Sequence, residues 1–181
     1  MTKLNTYHDL PALNTPVTDA ELDNHTNGVV VEPGIYDSRI SNYEVKTANN
    51  GKPYIKLKFT VMTPTSTKGV NVYQSFFPYH DKTFCTNVWQ GLLRSVGFSE
   101  TLRAKFQPNT HLPALKGLGC QVRTGIEKFE GTDGLEKKKS AILNVFAAKN
   151  DTFKNTEDTL ITALTNAEGT TTNAGTNPFN K

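Results

Sequence analysis

From Pro53 to Met62 the chain alternates with a period of two. Ile55, Leu57, Phe59 and Val61 fall on one side, and Tyr54, Lys56, Lys58, Thr60 and Met62 on the other. Successive side chains leave a β-strand on opposite faces, so this stretch is a strand with one face in a core. The apolar row is unbroken. The opposite row sets an aromatic ring beside two cations, where Thr, Ser or Glu would suffice for solubility. Such a row can stack bases and neutralise phosphates together. Lysines also serve as plain solubilising groups on a strand face, so the rest of the chain has to decide between the two.

The same period extends to other segments. After Pro33-Gly34, Ile35 to Val45 forms a first strand, with Tyr36, Ser38 and Ile40 opposite Asp37, Arg39, Ser41 and Tyr43. Ala48-Asn49-Asn50-Gly51 is a turn, because Asn-Gly tolerates positive φ, and it joins the first two strands as a hairpin. Val70 to Phe77 is a third strand, with Val72, Gln74 and Phe76 opposite Asn71, Tyr73, Ser75 and Phe77. The period then becomes three and four over Phe84, Cys85, Val88, Trp89, Leu92, Leu93 and Val96. This predicts an amphipathic helix capped by Asp81, with Gly97 at a left-handed stop. Ser99 to Phe106 predicts a short second helix with Ser99 as its cap. Strand character returns from Gly119 to Lys128, with Cys120, Val122, Thr124 and Ile126 opposite Gln121, Arg123 and Glu127. A turn at Gly131-Thr132-Asp133-Gly134 and a basic run, Lys137-Lys138-Lys139, lead into a last strand from Ser140 to Ala147.

Both ends differ from this body. Residues 1–33 read as an arm, broken at Leu10-Pro11 and Thr15-Pro16, with a capping-box pattern at Thr18-Asp19-Ala20-Glu21. Residues 150–181 read as a flexible, weakly acidic tail. One short helix over Thr156 to Ala167 could bury Leu160, Ile161 and Leu164, and the Thr-, Asn- and Gly-rich finish cannot bury enough to order itself. The domain is therefore expected within residues 34–149. Charge divides the same way. The formal net charge is +3, but residues 29–150 hold 17 Lys and Arg against 9 Asp and Glu, a balance of +8. Residues 1–28 balance at −3 and residues 151–181 at −2. A basic body between mildly acidic ends suits a polyanionic partner.

Several function classes are disfavoured. No run of about eighteen apolar residues exists to span a membrane, and the N-terminus lacks the apolar region of a signal peptide. A cytoplasmic protein is expected, in the host cytoplasm if viral. Cys85 and Cys120 stand far apart with no Cys-x-x-Cys and no His at ligand spacing, so neither zinc nor any other cofactor is expected. His80-Asp81 is the one pair suggestive of acid–base chemistry, and it sits at a strand-to-helix junction where Asp81 already has a capping role. No phosphate-binding G-x-x-x-x-G-K-[ST] or H-E-x-x-H motif occurs. An enzyme is not expected.

Three strands, a helix and two strands is the order of the OB-fold, a five-stranded, partly open Greek-key barrel. OB-folds bind oligonucleotides on the face of strands two and three, flanked by the loops joining strands one–two and four–five. Tyr54, Lys56 and Lys58 fall on strand two, and Tyr73 and Phe77 on strand three. Lys46 and Lys52 flank the first loop, and Lys137, Lys138 and Lys139 the last. Arg39 and Tyr43, on the outer side of strand one, and Arg123 on strand four complete the candidate interface. Trp89 is expected in the core beside Cys85, Leu92 and Leu93, and Tyr36 is expected to point inward.

Gly34-Ile35-Tyr36, Thr47 to Gly51, Tyr54-Ile55-Lys56-Leu57-Lys58-Phe59, Leu92-Leu93-Arg94-Ser95-Val96-Gly97 and Leu115-Lys116-Gly117 form a further pattern. Together they resemble the small phage-encoded single-stranded DNA-binding proteins, over roughly residues 33–148. The resemblance implies an OB-fold that coats and protects single-stranded DNA, with little sequence preference, in phage DNA replication, recombination or repair. Single-stranded DNA-binding proteins often carry an acidic tail that recruits replication or recombination proteins, ending in Pro-Phe in bacterial forms. Here Pro178-Phe179 is present, but the acidic run is missing and Lys181 follows. Two other accounts stay open. One is an OB-like structural or protein-interaction module of a phage assembly, whose basic face meets an acidic protein. The other is RNA binding, since no residue reveals whether a 2′-hydroxyl is read. Oligomeric state is left undetermined, with a homo-oligomer compatible.

Overall fold

The structure is a computed structural model describing residues 30–132 and 134–170. Five strands, β1 (Gly34–Thr47), β2 (Pro53–Val61), β3 (Asn71–Phe76), β4 (Gly119–Glu130) and β5 (Glu136–Phe146), form one antiparallel sheet in the order β3-β2-β1-β4-β5. The alternation in β2 sets its orientation: Ile55, Leu57, Phe59 and Val61 are fully buried. They pair with Val45, Tyr43, Ile40 and Ser38 of β1, which carries the apolar floor across both strands.

The β1–β2 register shifts between Ile40 and Asn42, leaving Ser41 as an extra residue. Such a bulge sends every later side chain to the face opposite the one that plain alternation assigns. Tyr43, expected on the outer side, therefore packs inward against the core together with Val45. The sheet is also not closed into the expected barrel. β3 and β5 approach within 8 Å at their Cα atoms, but the hydrogen-bonded ladder ends at each of them.

Helix α1 (Thr83–Ser95) covers one end of the core with Trp89, Leu92 and Leu93. Asp81 does not cap it. The N-cap is Lys82, without a side-chain hydrogen bond, and Asp81 instead accepts from Lys52 Nζ. Gly97 ends the helix at φ +104°, its N–H donating to Arg94 O at 3.0 Å. In α2 (Glu100–Lys105) Ser99 Oγ accepts from Leu102 N at 3.4 Å. Next come α3 (Pro108–His111) and a 3-10 turn (Leu112–Leu115), which bury Leu112, Ala114 and Leu115. These segments are too short to show a helical period, and each has a proline in its first turn.

The boundaries expected at residues 34 and 149 are both too narrow. Val31 is fully buried in the core, its N–H donates to Ser140 Oγ at 2.7 Å, and Thr124 Oγ1 donates to Glu32 O at 2.9 Å. Helix α4 (Glu157–Thr170) inserts Leu160, Leu164 and Ala167 into the same core, and only Ile161 of the expected apolar set faces out, at 45% exposure. Asn155 fastens the lead-in to this helix. Its Nδ2 donates to Val96 O at 2.8 Å and Gly119 O at 2.9 Å, and its Oδ1 accepts from Gly119 N at 3.0 Å. Residues 150–170 thus belong to the folded unit rather than to a detached tail. The capping-box pattern Thr18-Asp19-Ala20-Glu21 and the pair Pro178-Phe179 lie outside the described residues. Among the described residues no helix is long and apolar enough to cross a membrane.

Candidate nucleic-acid interface

The outward row of β2 meets matching rows on both neighbours. Lys56 pairs with Ser75, Lys58 with Tyr73 and Thr60 with Asn71 on β3, while Glu44 and Asn42 of β1 lie opposite Lys56 and Lys58. One face therefore carries two lysines, a phenol ring, the Glu44 carboxylate and a set of neutral hydrogen-bonding groups. Lys56 Nζ lies over the Tyr73 ring, 5.1 Å from its centroid. Partial burial, and after it the charge of Glu44, hold the Tyr73 hydroxyl above the ordinary phenol range, so it is a neutral donor. Thr60 Oγ1 lies 2.8 Å from both Ser41 Oγ and Asn71 Oδ1, which ties the three strands together beneath the face. The carboxylate of Glu44 is itself engaged by Lys46 Nζ at 3.3 Å.

Tyr54 and Phe77 do not join this face. Their rings stack at 5.4 Å between centroids and 24° between planes, and with Ala48 and Cys85 they form a second buried cluster. The reason is the start of α1, which brings Cys85 over the turn end of the β1–β2 hairpin, next to the contact between Lys52 and Asp81. The two rings support the helix in place of a ligand.

Arg39 is on the outer side of β1 but is committed to the C-terminal segment. It donates through Nη1 to Gly117 O at 2.9 Å and through Nη2 to Thr152 O at 3.3 Å, with its guanidinium 5.3 Å from the Phe153 ring centroid. Arg123 is exposed on β4 between Ile35 and Asn144, on a strip separate from β2 and β3. Lys137, Lys138 and Lys139, expected to lead into a strand beginning at Ser140, already lie within β5, opposite Phe129, Lys128 and Glu127. β4 pairs with β1 only as far as Thr124, so this basic hairpin projects past the start of β1. Lys139 Nζ stands 3.4 Å from Glu127 Oε2 and 5.6 Å from the Phe129 centroid, and Lys128 Nζ stands 2.9 Å from Glu136 Oε1. The Lys128 partner, first by hydrogen bond and then by charge, holds the Glu136 carboxyl below its ordinary range. The Lys128–Glu136 pair is solvent-exposed and weak, so a phosphate can displace that carboxylate, whereas Glu127 is mostly buried beside Lys139.

Of the sequence-derived candidates, Lys56, Lys58 and Tyr73 come together as one surface. Ser41, Asn71 and Thr60, which brace it, were not singled out from the sequence. Asn71 and Thr60 could have been found by aligning the two alternations across the hairpin, whereas Ser41 depends on the bulge. At the strand-to-helix junction His80 Nδ1 accepts from Lys82 N at 3.1 Å. Burial pushes the Cys120 thiol up to about 12, with a smaller contribution from Asp37, so it remains a packed, protonated group. Compared with models of known protein families and with curated proteins, the sequence matches none.

Proposed function

We propose that the chain binds single-stranded DNA with little sequence preference on the outward face of β2 and β3. In this reading it coats and protects the strand during phage DNA replication, recombination or repair. The observation that carries the proposal is the grouping of Lys56, Lys58 and Tyr73 on one braced three-stranded face. A cation over an exposed ring is worth about 0.5–1 kcal/mol, whereas a base stacked on an aromatic is worth about 1–3 kcal/mol. A base can therefore displace the Lys56 ammonium from the Tyr73 ring, and the released ammonium can pair with the adjoining phosphate.

The strand order supports an OB-fold. Written as a ring, that barrel runs β1-β2-β3-β5-β4, and the order β3-β2-β1-β4-β5 is the same ring opened between β3 and β5, with α1 joining β3 to β4. The projecting β4–β5 hairpin, rich in lysine, would then extend the phosphate-binding surface beyond the sheet.

Two substitutions separate stacking from charge. Tyr73→Ala is expected to weaken oligo-dT binding by about 1–3 kcal/mol with the salt slope nearly unchanged. Lys56→Ala should instead flatten the log–log salt slope by about 0.7. Fluorescence anisotropy with labelled oligo-dT at several salt concentrations reads both effects. Parental binding by a folded Tyr73→Ala variant would remove β2 and β3 as the interface. Parallel titrations with oligo-rU test for RNA.

A further inference from the structure

Where the sheet fails to close, β3, β5 and α1 leave a half-open groove of about 500 Å³. Its wall is built: Ser95 Oγ of α1 donates to Val145 O of β5 at 2.9 Å, fixing helix against strand. The volume falls in the range of small-ligand sites, about 300–1,000 Å³. An added β-strand does not suit it. Seating a strand between two others needs two interstrand spacings, about 9.5 Å, and β3 and β5 approach within 8 Å.

The lining suits a flat, anionic ligand. Phe84 is 51% exposed at the rim, and Phe146 lies on the β5 side. Gln74, Asn87 and Asn144 supply amides, and among the described residues Arg94 supplies the single cation and no carboxylate lines the groove. Gln74 Oε1 is the most informative atom. It is fully buried and has no hydrogen-bond partner among the described residues, and an unmet acceptor of this kind carries a desolvation penalty until a donor reaches it.

We infer that this groove is a nucleotide subsite: a nucleobase packs on Phe84, the Gln74 side chain turns so that its Oε1 accepts an N–H from the base, and the nucleotide's phosphate meets Arg94. Every base carries at least one N–H on its pairing edge, so a lone acceptor admits all four. The subsite is built from residues other than Lys56, Lys58 and Tyr73 and stands apart from the sheet-face reading. The nucleotide can come from a bound strand or from the free pool.

The test is an amide-resolved NMR titration of the full chain with cytidine 5′-monophosphate, inorganic phosphate and oligo-dC. Cytidine monophosphate is expected to shift the side-chain amides of Gln74 and Asn144 and the backbone N–H of Gly91, with inorganic phosphate leaving Gln74 unmoved. The same shifts with oligo-dC identify a strand as the source, and shifts with the mononucleotide alone identify the free nucleotide. Phe84→Ala and Arg94→Ala, both at exposed positions, should each weaken the groove response about five-fold or more. The proposal is overturned if groove resonances stay still with both nucleotide probes, or if both variants titrate like the parent. Failure of the sheet face alone would appear as unchanged oligo-dT affinity in Tyr73→Ala and leaves these groove signals as they are.

Discussion

A chain ending at Lys149 is expected not to fold cooperatively, although all five strands and α1 precede that point. Phe153, Leu160 and Leu164 are buried, Leu160 completely. Fully burying such side chains contributes about 1.5–3 kcal/mol each, and the Asn155 hydrogen bonds add about 1 kcal/mol apiece. Together these losses rival the whole stability of an ordinary domain, about 5–15 kcal/mol. Thermal unfolding followed by circular dichroism should show a broad or absent transition for the truncated chain. Leu160→Ala, a milder form of the same change, should cost about 2–5 kcal/mol. A truncated chain melting sharply within a few degrees of the parent would show that α4 is dispensable.

Glycine substitutions should have opposite signs at two positions. A Cβ built on Gly119 would lie 1.9 Å from Phe153 O and 2.8 Å from its carbonyl carbon, so backbone rather than a flexible side chain must give way. The N–H and C=O of Gly119 are also both held by Asn155. Gly119→Ala is therefore expected to destabilise by about 3 kcal/mol or more, at the upper end of overpacking effects. Gly91 lies inside α1, and outside the helix's own backbone none of the described residues comes within 4 Å of the added carbon. There alanine recovers helix propensity, and Gly91→Ala should stabilise by about 0.5–1 kcal/mol. Urea unfolding of the two variants beside the parent checks both signs, and equal destabilisation would contradict this account of the Gly119–Phe153 contact.

The Gly119 contact also illustrates what was legible in the sequence. Strands and α1 were readable because period is a local property, and one buried face imposes it on each segment. The apolar row of β2, the Asn-Gly turn and the Gly97 helix stop each follow from neighbouring residues alone. What the sequence hid was produced by contacts between distant segments. Ser41 flips Tyr43 inward through its register with β2, and no local pattern marks a bulge. Tyr54 alternates outward yet is buried because α1 returns over it. Arg39 reads as a binding residue yet is occupied by carbonyls from Gly117 and Thr152. Leu160 and Leu164 lie in a polar, acidic stretch whose composition resembles a tail, and only the open end of the core shows why they dock. The Lys56, Lys58 and Tyr73 face was readable because it needs only two adjacent strands in register.

Binding of single-stranded DNA by that face is the central claim, and salt-dependent anisotropy tests it most directly. Labelled oligo-dT is titrated with the full chain at several salt concentrations, with duplex DNA and heparin as competitors. If about four phosphates are neutralised, the log–log salt slope should be roughly −3 for a single strand. Oligo-dT should also outcompete duplex DNA, because only unpaired bases can reach the Tyr73 ring. Heparin, which carries charge without bases, should compete weakly. A slope near zero, tighter binding to duplex, or equal competition by heparin would contradict the claim.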